Sequence, residues 1–232
     1  MKSLREIHPI ALAELKKRFS LNTFSLKYPF PERPIRTFGL VKFDGEVFSS
    51  EKFSRVILMR VKLPFYLAAS STFLRPRMEL GLPFFDAEVV IMGKRRVFMV
   101  DIQAVGESTG YDNTALFDRL IKIRERYPAL LEKTIKIKGK IQSVFSKAAC
   151  QVKITEEQDE QALSIFREYL GVFLEMVEKA TPLSGDALDQ ARRAFEEYSK
   201  TVINHDPGVK AFKMFFGKEG GMTRAMDIFF DL

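Results

Sequence analysis

Between residues 4 and 18 apolar side chains recur every three or four positions, at Leu4, Ile7, Ala11, Leu12 and Leu15, with charges on the other side. That spacing predicts a short amphipathic helix, despite Pro9 in its first half. Residues 24–34 are broken by Pro29, Pro31 and Pro34 and read as an extended connector. From Arg36 onward the period changes to about two. Residues 38–43 and 46–48 read as a hairpin turning at Asp44-Gly45, and 53–63, 65–71, 84–92 and 95–103 read as further strands rich in Val, Ile and Phe. The links between them are too short for parallel crossovers, so an antiparallel meander is expected.

The second half changes character. Residues 113–127 look helical, and a basic, weakly patterned segment leads to one more strand near 144–154. Thr155 and Gln158 have capping-box spacing, and the wide apolar face of Ala162, Ile165, Phe166, Tyr169, Leu170, Phe173, Leu174 and Val177 predicts a helix buried on the sheet. Ser184 is placed to cap a helix running to about Lys200, Asp206-Pro207 opens another, and 223–230 forms the last. Strands first and helices mostly after, around one core, predict an α+β fold: a three-layer α/β/α sandwich with a central antiparallel sheet of six or seven strands, spanning 1–232 as one domain.

Composition narrows the classes. The chain has 232 residues, 46% hydrophobic and 29% charged, with one Cys and no Trp, which excludes disordered, collagenous and disulfide-scaffold proteins. No apolar run approaches the roughly 18 residues of a membrane span, and the N-terminus scatters charges where a signal peptide would be apolar. A cytoplasmic protein is expected, with Cys150 as a buried, inert thiol. The net charge of +7 suits acidic partners. Basic clusters at 16–18, 94–96 and along Lys133, Lys136, Lys138 and Lys140 are solvated faces or contact sites. No nucleic-acid-binding motif accompanies them, so an acidic protein explains the charge with fewer requirements.

Most standard chemistry is missing. There is no phosphate loop, GxGxxG, HExxH or GxSxG, and His8 and His205 are too few for a histidine-rich metal centre. The unusual feature is residues 82–90. Alternation puts Phe84, Asp86, Glu88 and Val90 on one strand face, and Asp101 joins them if the next strand folds back at Gly93-Lys94. Carboxylates crowded against apolar neighbours hold their protons to higher pH, which suits proton donation; the same pattern also describes a solvent-facing polar edge. Asp206, followed by Pro207, is either a helix cap or a functional acid, and His205 beside it is either a surface residue or a partner in that chemistry.

These residues carry a resemblance. The strand at 53–63, the Arg75-Pro76-Arg77 connection and the run Leu82-Pro83-Phe84-Phe85-Asp86-Ala87-Glu88-Val89-Val90 resemble the ferredoxin-dependent bilin reductases, whose strand reads LPxFGxD. Asn204-His205-Asp206-Pro207, Phe215-Phe216-Gly217 and the closing Phe229-Phe230-Asp231-Leu232 are similar to the family's C-terminal motifs. The resemblance implies an oxidoreductase holding a linear tetrapyrrole, biliverdin or a dihydrobiliverdin, between the sheet and the C-terminal helices. It implies no metal and no tightly bound cofactor, single electrons from reduced ferredoxin, and protons from acidic side chains. A monomer is expected, with a heme oxygenase in the same pathway. By position, Glu88 matches the family's central aspartate and Asp206 its C-terminal aspartate, with His205 adjacent. Asp86, Phe84, Met59 and Ser71 would line the substrate, and Arg95, Arg96 and Lys210 would meet its propionates. Some members carry a catalytic glutamate where this chain has Met59, and a histidine where it has Ser71; Asp86 replaces a glycine. A bilin-binding protein of the same fold without catalysis is therefore the alternative.

Overall fold

Period-two alternation produces a sheet whose seven strands pair antiparallel in chain order. They are β1 (Asn22–Thr23), β2 (Lys42–Ser49), β3 (Phe53–Lys62), β4 (Leu67–Pro76), β5 (Phe84–Met92), β6 (Arg95–Gln103) and β7 (Cys150–Thr155). The computed structural model describes residues 3–64, 67–103 and 113–230. Among these, no helix is long and apolar enough to cross a membrane.

Helices cover both faces, completing the expected three layers. On one side lie α1 (Ile7–Arg18), α2 (Thr114–Glu125) and α3 (Asp159–Lys179); on the other lie α4 (Gly185–His205), α5 (Pro207–Phe216) and α6 (Lys218–Phe229). The first side is the denser. Phe85, Ala87, Val89 and Ile91 of β5 alternate inward with Phe98, Val100 and Ile102 of β6, and the Phe85 ring lies 5.8 Å from Phe166 and 5.5 Å from Phe173 of α3. Each such aromatic, fully removed from water, contributes about 1.5–3 kcal/mol. The capping box of Thr155 and Gln158 starts the turn that leads into α3.

One buried ion pair fastens this layer. Arg96 of β6 donates from Nε to Asp159 Oδ1 at 3.1 Å, and both side chains are almost fully buried. The other carboxylate oxygen of Asp159 accepts from Ser3 Oγ and Leu4 N, both at 3.2 Å. One carboxylate thus joins the N-terminus, the β5–β6 hairpin and the start of α3.

Several boundaries differ from the periodicity. Asp44-Gly45 is not a turn: β2 runs through it, pairing Asp44 with Arg60 and Gly45 with Met59. Glycine is needed there because a Cβ would stand 2.6 Å from the Leu58 carbonyl oxygen. The turn comes instead after Ser49, where Ser50 Oγ accepts from Lys52 N at 3.1 Å and Phe53 N at 3.0 Å. The strand expected from 65 starts at Leu67 and continues to Pro76, with Phe65 outside the described residues. The strand expected near 144 begins at Cys150, because Lys140–Val144 forms a 3-10 turn burying Ile141 and Val144 against the second layer. Ser184 occupies the N-cap of α4 without a side-chain bond, α4 continues to His205, and α6 starts at Lys218.

Removing one partner of a buried ion pair leaves an uncompensated charge, at a cost of about 3–5 kcal/mol. Asp159→Ala is expected to lower the unfolding free energy, measured by urea denaturation, by that order, and Arg96→Ala to do the same. The double variant should cost less than the sum, and additive losses would show that the two act separately.

Candidate active site

The second sheet face, turned toward α4–α6, is where polar groups collect. Cross-strand pairing arranges it in rows. Val47, Ile57, Phe73, Asp86 and Asp101 form one row across β2–β6, and Gly45, Met59, Ser71, Glu88 and Met99 form the next. Phe43, Val61, Ala69, Val90 and Val97 form the third, in which the last four are only part-buried. The result is an apolar shelf bordered by carboxylates.

Each carboxylate is held by a specific donor. Ser71 Oγ donates to Glu88 Oε1 at 2.5 Å from the adjacent strand. Gln103 Nε2 donates to Asp86 Oδ2 at 2.8 Å, and Gln103 Oε1 accepts from the hydroxyl of Tyr198 on α4. Asp101 is fully buried and accepts from Ser146 N at 2.8 Å and Ser146 Oγ at 2.5 Å. From the opposite layer, Asp206 caps α5, its Oδ1 accepting from Gly208 N at 2.7 Å and Val209 N at 3.1 Å.

Burial lifts all four acids. The Glu88 carboxyl is pushed up to about 8, chiefly by desolvation, against the Ser71 bond and with the Asp206 charge adding. Asp86 is raised well above the ordinary carboxylate range by desolvation and then by the charges of Glu88, Asp206 and Asp101. Asp101 reaches about 6 by desolvation, opposed by its Ser146 bonds. Asp206 is raised by desolvation, opposed by the two amides it caps. Of these, Glu88 and Asp86 are raised far enough to keep a proton near neutral pH and to release it to a neighbour.

The other sequence candidates take varied positions. Phe84 shares the face but is buried, edge-on to Tyr198 with centroids 5.1 Å apart. Met59 and Ser71 are buried and directly paired across β3 and β4, so both touch the Glu88 row. Arg95 is exposed at the hairpin end of this face, opposite Met92, and Lys210 is exposed on α5 with its charge acting on Asp206. Arg96 points through the other face into its pair with Asp159, which takes it away from the shelf. The reason is parity: adjacent strand residues project to opposite faces. His205 lines a separate cavity of about 420 Å³ with Gly139, Lys140, Ser143 and Lys200 among others.

Gln103 and Tyr198 escaped the sequence reading. A weak signal for Tyr198 existed, since it follows Ala191, Ala194 and Phe195 at helical spacing and a buried tyrosine hydroxyl needs a partner. Nothing marked Gln103 until pairing placed it opposite Phe84.

Comparison with known proteins places the chain in a family. The phycoerythrobilin:ferredoxin oxidoreductase of Parasynechococcus marenigrum is 25% identical over 190 residues, covering 79% of this chain and 72% of that protein. That of Gloeobacter violaceus is 24% identical over 213 residues, covering 88% and 87%. The structure of phytochromobilin synthase from tomato, solved in complex with biliverdin, superposes with a TM-score of 0.83 at 15% identity, over 98% of this chain and 82% of that one. The sequence profile of the ferredoxin-dependent bilin reductases matches residues 11–231, and the chain belongs to that family.

Proposed function

We propose that this enzyme reduces biliverdin or a dihydrobiliverdin, lying over the shelf of Val61, Ala69, Val90 and Val97, with single electrons from ferredoxin and protons from Glu88, Asp86 and Asp206. The observation that carries this reading is the meeting of a part-exposed apolar surface with three acids, from two layers, whose hold on their protons is strengthened by burial. Reducing one double bond takes two electrons and two protons. Ferredoxin supplies only the electrons, so the protons must come from the protein, and general acids of this kind contribute about 10²–10⁴-fold.

The hydrogen bonds support a division of roles. With Oε1 of Glu88 taken by Ser71 and Oδ2 of Asp86 by Gln103, the transferable protons sit on Oε2 and Oδ1, the oxygens left free to face a ligand. Ionisation of one acid disfavours ionisation of its neighbour, so the protons leave in sequence. Ser71 acts by orienting Glu88, a different part from that of a proton donor. In this reading Arg95 and Lys210, both exposed, meet the propionates. A monomer in the cytoplasm, fed by a heme oxygenase that opens the haem ring, completes the reading.

Two experiments test it. Asp206→Asn keeps the capping oxygen, since Asn and Asp are nearly equivalent N-caps. The variant should fold and bind biliverdin as wild type does, by absorption titration, while ferredoxin-driven turnover falls roughly 10²–10⁴-fold. Near-normal turnover would leave Asp206 as a cap alone, and wild-type protein that binds biliverdin without reducing it would establish the binding-protein alternative.

The second experiment uses stability. Below pH 4.5 Glu88 is protonated in both folded and unfolded chains; between 4.5 and about 8 the folded protein retains a proton that the unfolded chain has released. Stability contributed by this group is therefore complete at low pH and lost as pH rises through that window. Glu88→Gln should flatten the fall in urea midpoint between pH 5 and pH 8. A fall as steep as that of wild type would place the Glu88 carboxyl near its ordinary value.

A further inference from the structure

Large apolar side chains left in water are few among the described residues, and three of them lie within six positions. Ile35 and Phe38 are each 93% exposed and Leu40 is 64% exposed; Met214, also 64% exposed, lies on α5, against which this segment packs. Clustered exposed apolar surface marks contact sites.

The segment is built as a fixed knob. Ile35–Thr37 forms a 3-10 turn, and Phe38 follows it in the left-handed region at φ 51°, where a side chain other than glycine is strained. Thr37 Oγ1 donates to the Pro34 carbonyl at 2.7 Å, and Arg33 Nη1 donates to the Gly39 carbonyl at 2.8 Å. At the base, Glu32 and Phe43 exchange two backbone bonds of 2.9 Å, and Glu32 is ion-paired with Arg224, whose guanidinium sits 4.3 Å from the Tyr28 ring and 4.4 Å from that of Phe216. Bonds of this number hold apolar side chains outward at a cost in backbone strain.

Charge identifies what they meet. Residues 33–41 contain Arg33 and Arg36 and no acid, while Lys42 beyond them is ion-paired with Asp44 at 2.8 Å. Arg36 lies against Gly217, 3.2 Å from where a Cβ would stand, which brings it beside Lys218 at the start of α6. An apolar tip flanked by Arg33 and Arg36 fits an acidic protein surface with an apolar centre. Position adds a reason. Phe43, at the foot of the knob, pairs with Val61, the first part-buried residue of the shelf row, and the Glu88 strand is three strand spacings from β2, about 14 Å.

We propose that the knob of Ile35, Phe38 and Leu40, with Arg33 and Arg36, is the docking surface for the reduced ferredoxin that supplies the electrons. The inference rests on the ferredoxin-dependent reading above. A donor seated there stands at the β2 rim of the shelf, the side from which an electron has a short path to a bound bilin. The apolar tip sets the dwell time of the complex and the arginines speed its formation.

The test uses Ile35→Ser/Phe38→Ser and, separately, Arg33→Glu/Arg36→Glu in the full chain. All these side chains are exposed, and both variants should bind biliverdin as wild type does and match it in turnover driven by reduced methyl viologen. With a plant-type ferredoxin the KM should rise at least tenfold with little change in kcat, and binding of oxidised ferredoxin at low salt, followed by fluorescence anisotropy, should weaken to the same extent. Unchanged ferredoxin affinity in both variants would overturn the proposal. So would dimers, or binding to phosphatidylglycerol vesicles, that wild type shows and the serine variant loses while ferredoxin affinity stays constant. Wild-type protein that binds ferredoxin but reduces no bilin would defeat the functional reading and leave the docking surface standing on the anisotropy result.

Discussion

A β-strand sends neighbouring side chains to opposite faces, and in this fold the two faces of β5 do opposite work. Phe85, Ala87, Val89 and Ile91 are packed under α1 and α3, while Asp86, Glu88 and Val90 look the other way. The apolar set anchors the strand so firmly that the acids have no freedom to turn toward water. A register slip of one residue would drive both carboxylates under α3, a state too costly to populate. The acids keep their place because the opposite face is so well filled.

The same constraint explains the protein's divided electrostatics. Outside, an excess of lysine and arginine gives a charge of +7. Inside the second layer, Asp86, Glu88, Asp101 and Asp206 lie near one another, and burial raises the pKa of each. Hydrogen bonds that would usually favour the ionised form, from Ser71 to Glu88 and from Ser146 to Asp101, reduce the upward shift without cancelling it, so desolvation is the larger effect. Glu88 and Asp86 are left able to hold a proton near neutral pH, with their oxygens aimed by Ser71 and Gln103.

Patterns local in the sequence were legible. The alternation through 84–103, the capping box at Thr155 and Gln158, and the shared face of Asp86, Glu88 and Asp101 all depend on residues a few positions apart or on one tight hairpin. Asp44-Gly45 misled because a glycine required for close packing against Leu58 looks the same as one required for a turn. Arg96 was grouped with Arg95 although neighbours on a strand face apart. Gln103 and Tyr198, 95 positions apart, meet only once α4 lies across the sheet, and no local pattern encodes that meeting.

Asp206 joins two properties in one carboxyl group. An ionised carboxylate caps a helix better than a neutral one, because it accepts more strongly from the first amides and opposes the positive end of the helix dipole. In the proposed cycle, the proton that leaves Asp206 therefore tightens the first turn of α5 as it goes. That helix carries Phe212, Phe215 and Phe216 onto the Phe43 ring. Proton release and a firmer aromatic roof thus become one event, a small latch that resists giving the proton back until solvent restores it.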